Sequence, residues 1–118
     1  MTAGYAAGAR QKVESGAAEA GRETPPVLGY VRTAVGPDAA ERLAKEESFY
    51  RDLHAGYRNH FDRLGEPEGT VGVAAADCDQ AQSLLAGYKA LDTVVVRGLA
   101  SARVDPMTAV ALAAAPNR

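Results

Sequence analysis

Val27-Leu-Gly-Tyr-Val-Arg-Thr-Ala-Val35 and Leu91-Asp-Thr-Val-Val-Val-Arg-Gly-Leu99 are the two stretches on which the fold turns. Both are short, apolar and rich in β-branched residues, and helical patterns flank them. Parallel strands bury both faces and therefore read as apolar runs rather than strict alternations. A weaker run, Thr70-Val-Gly-Val-Ala-Ala-Ala76, lies between them. The chain thus reads helix, strand, helix, strand, helix, strand, helix, the rhythm of parallel βα units. Three such strands make neither a closed barrel nor a comfortable open sheet. The pattern points to part of a larger α/β architecture.

The helices are of unequal strength. Ala6, Ala9, Val13, Ala17 and Ala20 recur at spacings of three and four, a narrow stripe of small residues weakened by Gly8 and Gly16. Gly21 ends this helix, and Glu23-Thr-Pro-Pro26 leads into the first strand. After Gly36-Pro37-Asp38, where Asp38 and Glu41 suggest a capping arrangement, comes the strongest amphipathic stretch. Leu43, Tyr50, Leu53, Tyr57, Phe61 and Leu64 share one broad face, and Gly56 splits the stretch into two helices. Gly65 to Gly69 is a loop. Asp77-Cys-Asp-Gln80 has the spacing of a capping box, and the helix behind it carries Ala81, Leu84, Leu85 and Tyr88 toward a core. Asp105-Pro106 opens a last helix over about Met107 to Ala115.

Composition limits the function. The 118 residues fit a single domain over 1–118. Hydrophobic residues make up 47%, but much of that is alanine and there is no Trp, so the core is thin. A net charge of −2 offers phosphate backbones no basic surface and argues against nucleic acid. No apolar run reaches the roughly 20 residues that span a membrane, and no signal sequence is evident, which makes the cytoplasm the expected location. Cys78 is the sole cysteine and can form no internal disulfide; between Asp77 and Asp79 it reads as a passive thiol.

No self-sufficient catalytic motif is present: no Gly-x-Gly-x-x-Gly, no phosphate-binding Gly-Lys-Ser and no Gly-x-Ser-x-Gly. His54 and His60 are six residues apart, on different parts of a helix surface, which argues against a shared metal. Glu46, Glu47 and Asp52 read as solvated carboxylates on a helix. The strand ends are more informative, because chemistry in α/β proteins gathers there. Arg32 lies late in the first strand, and Arg97 and Gly98 end the last. An arginine at such a position meets an anionic group of a cofactor or substrate, or else pairs with an acidic neighbour. Gly98 lets a ligand approach the backbone.

Four segments carry a resemblance. They are Ala17-Ala-Glu-Ala-Gly-Arg22, Gly29-Tyr-Val-Arg-Thr-Ala-Val-Gly-Pro-Asp-Ala-Ala40, Tyr57-Arg-Asn-His-Phe-Asp-Arg-Leu-Gly65 and Leu91-Asp-Thr-Val-Val-Val-Arg97. In this order they resemble the carboxyl-terminal portion of the luciferase-like monooxygenases, oxidoreductases that use flavin or deazaflavin. The resemblance implies a partial (β/α)8 barrel, about its last three strands, with FMN or a deazaflavin as cofactor. Their strand-end positions make Arg97 and Gly98 the candidates for cofactor binding and Arg32 a candidate for substrate binding, while the resemblance implies Tyr57 and His60 on the substrate side. It supplies no catalytic residue, because the family's amino-terminal strands have no counterpart here. Such a fragment leaves open sheet edges, so it implies self-association or a second chain supplying the missing strands. The competing reading is a non-catalytic α/β interaction or assembly module derived from that family. The same element order also fits a small open sheet with helices on both faces, and strand order is what separates the two.

Overall fold

The computed structural model describes residues 1–99. The expected last helix, Met107 to Ala115, lies outside the described residues. Within them the elements run α1 (Ala3–Glu19), β1 (Leu28–Val35), α2 (Ala39–Leu53), α3 (Ala55–Leu64), β2 (Val73–Ala75), α4 (Cys78–Leu85) and β3 (Thr93–Gly98). The chain is α/β with an open three-stranded parallel sheet and flanking helices.

Strand order is β2-β1-β3. In a (β/α)8 barrel successive strands are neighbours and every helix lies outside. Here the first strand is central, and the chain passes across it between β2 and β3. Reversing the direction of winding places successive crossover helices on opposite faces of the sheet, as in doubly wound proteins. The consecutive order expected of a barrel segment is therefore corrected to that of a sheet wound in both directions.

The two faces can be read from the side chains. Val31 and Val35 of β1 point to one side with Val73 and Ala75 of β2 and Val94 and Val96 of β3, and there they meet Ala81, Leu85 and Tyr88 at α4. Leu84, expected to face this core, is 44% exposed instead. Arg32 points to the other side, where it meets Glu46 and Tyr50 of α2. Leu43, fully buried, anchors α2 there. The broad apolar face expected of α2 and α3 is only partly used: Phe61 is buried, whereas Leu53 and Tyr57 are 58% and 44% exposed.

Local chemistry sets the element ends. Thr2 caps α1, its hydroxyl accepting the Tyr5 amide at 3.1 Å. Asp77 accepts the Gln80 amide at 2.9 Å, and the Gln80 side chain accepts from Ala76 at 2.7 Å, one residue before the position a capping box would use. Asp38 makes no cap hydrogen bond and pairs with Arg42 at 3.0 Å instead. His54, not Gly56, divides the long amphipathic stretch: its Nδ1 accepts the Gly56 amide at 2.9 Å and starts α3.

Glu47 does not contact solvent. It is 1% exposed and accepts the amides of Gly69 at 2.8 Å and Val71 at 2.7 Å. One buried carboxylate thus ties α2 to the loop that feeds β2. No helix among the described residues is long and apolar enough to cross a membrane.

Candidate ligand-binding site

Register brings the two strand arginines together. Arg32 pairs with Arg97 across the parallel β1–β3 ladder, and Thr33 with Gly98. Adjacent strands are about 4.8 Å apart, so two guanidinium groups leave the same face side by side. Glu46 lies between them. Its Oε1 is 3.4 Å from Arg32 Nε and 3.1 Å from Arg97 Nη2.

Tyr50, one turn further along α2, completes the cluster. Arg97 Nη1 donates to its hydroxyl at 3.1 Å, and the Arg32 guanidinium stacks 4.5 Å from its ring centroid. The hydrogen bond from Arg97 and then the proximity of Arg32 pull the Tyr50 phenol below its ordinary value. The same contact with Tyr50, and then the charge of Glu46, raises Arg97.

Two grooves flank this cluster. The first, of about 300 Å³, is lined by Arg32, Tyr5, Tyr30, Tyr57, His60 and Phe61 among others. Three of the residues expected to touch substrate, Arg32 on β1 and Tyr57 and His60 on α3, therefore converge on one cavity. The second, of about 390 Å³, is bounded by Arg42, Lys45, Glu46, Phe49 and Leu99 near the carboxyl ends of β1 and β3. Arg97 and Gly98 line neither groove; Arg97 reaches the site through Glu46 and Tyr50, while Gly98 ends the ladder opposite Thr33.

The walls of the first groove are aromatic and mutually braced. Tyr5 meets His60 edge to face at 5.1 Å, and Tyr50 meets Tyr57 in the same manner at 5.1 Å. Burial, the Arg63 charge and the amino-terminal ammonium, in that order, lower His60 from its usual value. A neutral imidazole, three phenols and one guanidinium therefore face the cavity. This surface suits a flat aromatic group that carries negative charge at one end.

Comparison with family models, curated proteins and solved structures finds no match to this chain.

Sequence reading missed three parts of it. Glu46 looked like a solvated carboxylate because helix periodicity does not reveal what the facing strand presents. Tyr5 sits in a helix whose pattern showed only small residues. Tyr30, 69% exposed, was absorbed into an apolar strand. The one available signal was Arg32 and Arg97 at equivalent places in two strands, which becomes informative only if those strands are neighbours. His54, the other histidine, caps α3 and borders a separate shallow surface with Tyr57 and His60. Among the described residues no group of three His, Cys, Asp or Glu side chains is placed to hold a metal.

Proposed function

We propose that the chain is a small-molecule-binding α/β module, its ligand a planar aromatic group bearing an anion. The observation that carries this reading is the convergence of Arg32, Tyr30, Tyr57 and His60 on one groove beside Arg97. Binding sites combine apolar and aromatic walls with a few placed polar groups, and at about 300 Å³ this groove reaches the lower end of their usual size.

The residues present fit one end and the ring edge of FMN or a deazaflavin, the cofactors the luciferase-like resemblance implies. Tyr30, Tyr57 and His60 would hold the ring, and Arg32 with Arg97 the phosphate. Such a cofactor supplies hydride transfer or oxygen activation when bound. This chain's own part is to orient the ligand and exclude water from one side of it. An oxidoreductase assembled with a further chain, or with a second copy, remains within this reading.

Fluorescence titration of the chain with FMN, a deazaflavin and riboflavin tests it. Saturable micromolar binding, weakened at least about tenfold by Tyr57→Ala, supports the reading, since one well-placed aromatic contact is of that order. A folded sample that binds none of the three ends it.

A second reading has its own observation. Leu28, Tyr30, Phe49, Leu53 and Tyr57 are all 44% exposed or more. An apolar surface of this kind suits an assembly module. Light scattering that finds a concentration-independent oligomer, together with no ligand binding, favours it.

A further inference from the structure

Glu46 is held poorly for a carboxylate between two cations. Neither guanidinium contact to its Oε1 has hydrogen-bond geometry, and Oε1 and Arg32 Nε are both buried without a hydrogen-bond partner. A buried polar atom without a partner is destabilising. Yet the two arginines are the register-paired centre of the sheet face, and their positive charge exceeds what one carboxylate neutralises.

An anion with three oxygens would do better. Two guanidinium groups projecting from adjacent strands present several donors on one side, an arrangement that matches a phosphate bidentately. A single carboxylate oxygen reached from the opposite helix does not. The Tyr50 hydroxyl accepts from Arg97 Nη1 at 3.1 Å, and that contact and Arg32 draw it toward ionisation, in the same sense.

We propose that Glu46 is a stand-in anion that a ligand's phosphate monoester displaces from Arg32 and Arg97. The inference rests on the binding role proposed above and adds the ligand's anionic group, its seat and an internal competitor. Glu46 has somewhere to go, because its side chain borders the groove of about 390 Å³ that also contains Lys45. In the free protein it keeps two arginines from facing one another uncompensated. On binding it exchanges two misdirected contacts for solvent and the Lys45 side, while the phosphate takes both guanidinium groups. The occupied state therefore requires Glu46 to move and Arg32 and Arg97 to stay.

The test uses inorganic phosphate, FMN and riboflavin with the wild-type chain and three variants. Glu46→Gln removes the competing charge and keeps the shape. It is expected to bind phosphate and FMN about tenfold more tightly than wild type, the equivalent of one hydrogen bond between charged groups. Glu46→Asp keeps the charge but withdraws it from the arginines; an intermediate gain is expected, and this variant keeps the test decisive if Glu46→Gln unfolds. Arg97→Ala is expected to lose phosphate binding.

Unchanged or weaker phosphate binding by both Glu46 variants overturns the inference, as does an Arg97→Ala chain that binds phosphate normally. Riboflavin has the ring without the phosphate and reports on the aromatic groove alone, so its affinity should not respond to Glu46→Gln. Phosphate binding that gains from Glu46→Gln while riboflavin and FMN fail to bind supports the displaced anion and removes the aromatic ligand. Riboflavin binding with no response of phosphate or FMN to Glu46 does the reverse.

Discussion

The Glu47 carboxylate accepts the Val71 amide at 2.7 Å, across 24 residues of sequence, and at its other oxygen the Gly69 amide at 2.8 Å. It is the residue after Glu46, and the two neighbours have opposite duties. Glu46 faces the arginines of the sheet, whereas Glu47 satisfies the backbone of the turn that aims β2. With only three residues, β2 has little ladder of its own to fix its position.

Replacing Glu47 by glutamine leaves one oxygen for two amide donors and turns an NH₂ group toward the other. A loss of about 1–3 kcal/mol is expected from the orphaned donor, and Glu47→Ala, which orphans both, should cost about twice that. Urea unfolding of the two variants measures it. A midpoint unchanged in Glu47→Gln would show that the carboxylate does not hold the turn.

Gly72 is the backbone counterpart of the same turn. Its φ is 152°, and a Cβ there would sit 2.5 Å from the Arg32 carbonyl oxygen and 3.1 Å from Leu43 Cδ1. The close approach brings the β2 strand against the centre of β1. Gly72→Ala should therefore destabilise by at least about 2 kcal/mol, through strain and overpacking together. Because the clash is with Arg32's own backbone, the variant should also weaken phosphate binding at Arg32. Gly65→Ala, where a Cβ meets nothing within 4 Å, is the control: it bears only the strain of its positive φ.

The strands and their parallel sense were legible because Val31, Val94 and Val96 belong to apolar runs that only a two-sided sheet explains. Strand order was not, since a βα unit reads the same whether the next strand is added to the left or to the right. That single unknown separates a barrel segment from the β2-β1-β3 sheet, and it also decides whether Arg32 and Arg97 are neighbours. Tyr57 and His60 were legible as site candidates from the resemblance. Glu46 and Glu47 were not, because a charged residue on a helix advertises solvent by default, and only the facing strand or turn can convert it into a partner.

His60 gives the structure a pH dependence of known sign. Burial first, then Arg63, lowers its folded value beneath the unfolded one near 6.5. The unfolded chain therefore binds a proton more readily than the folded one, and stability rises with pH across that interval. The contribution is complete above the unfolded value and is lost as pH falls through it toward the folded value. Two measurements check this: the His60 ring-proton titration should have its midpoint below 6.5, and the urea midpoint should fall between about pH 7 and pH 5.5. His60→Asn should lessen that fall, the remainder belonging to the Met1 amino group, which burial lowers from 8.0 to about 6. A midpoint above 6.5 would reverse the sign and remove the argument.

Arg42 closes the molecule at the opposite end of the sheet from Val71. One guanidinium nitrogen donates to the Leu99 carbonyl and another to the Val35 carbonyl, while Asp38 pairs with the group at 3.0 Å. A single planar fork thus joins the carboxyl ends of β1 and β3 where the direction of winding reverses, the position at which doubly wound sheets leave a crevice. Lysine cannot replace it, because one ammonium on a flexible stem cannot serve two carbonyls in the geometry of the fork. Arg42→Lys is expected to cost about 1–2 kcal/mol, and Arg42→Met, which leaves both carbonyls without the donor, about 2–4 kcal/mol. The loss should be concentrated where β1 and β3 end, so amide exchange at Leu99, which donates to Thr33 at 2.8 Å, should accelerate more than exchange at Val31 in the centre of the sheet. Uniform acceleration at both amides would mean that Arg42 supports global stability and does not clamp the strand ends. Since Arg42 also borders the groove into which Glu46 would swing, a clamp at this place keeps β1 and β3 in register while that carboxylate moves.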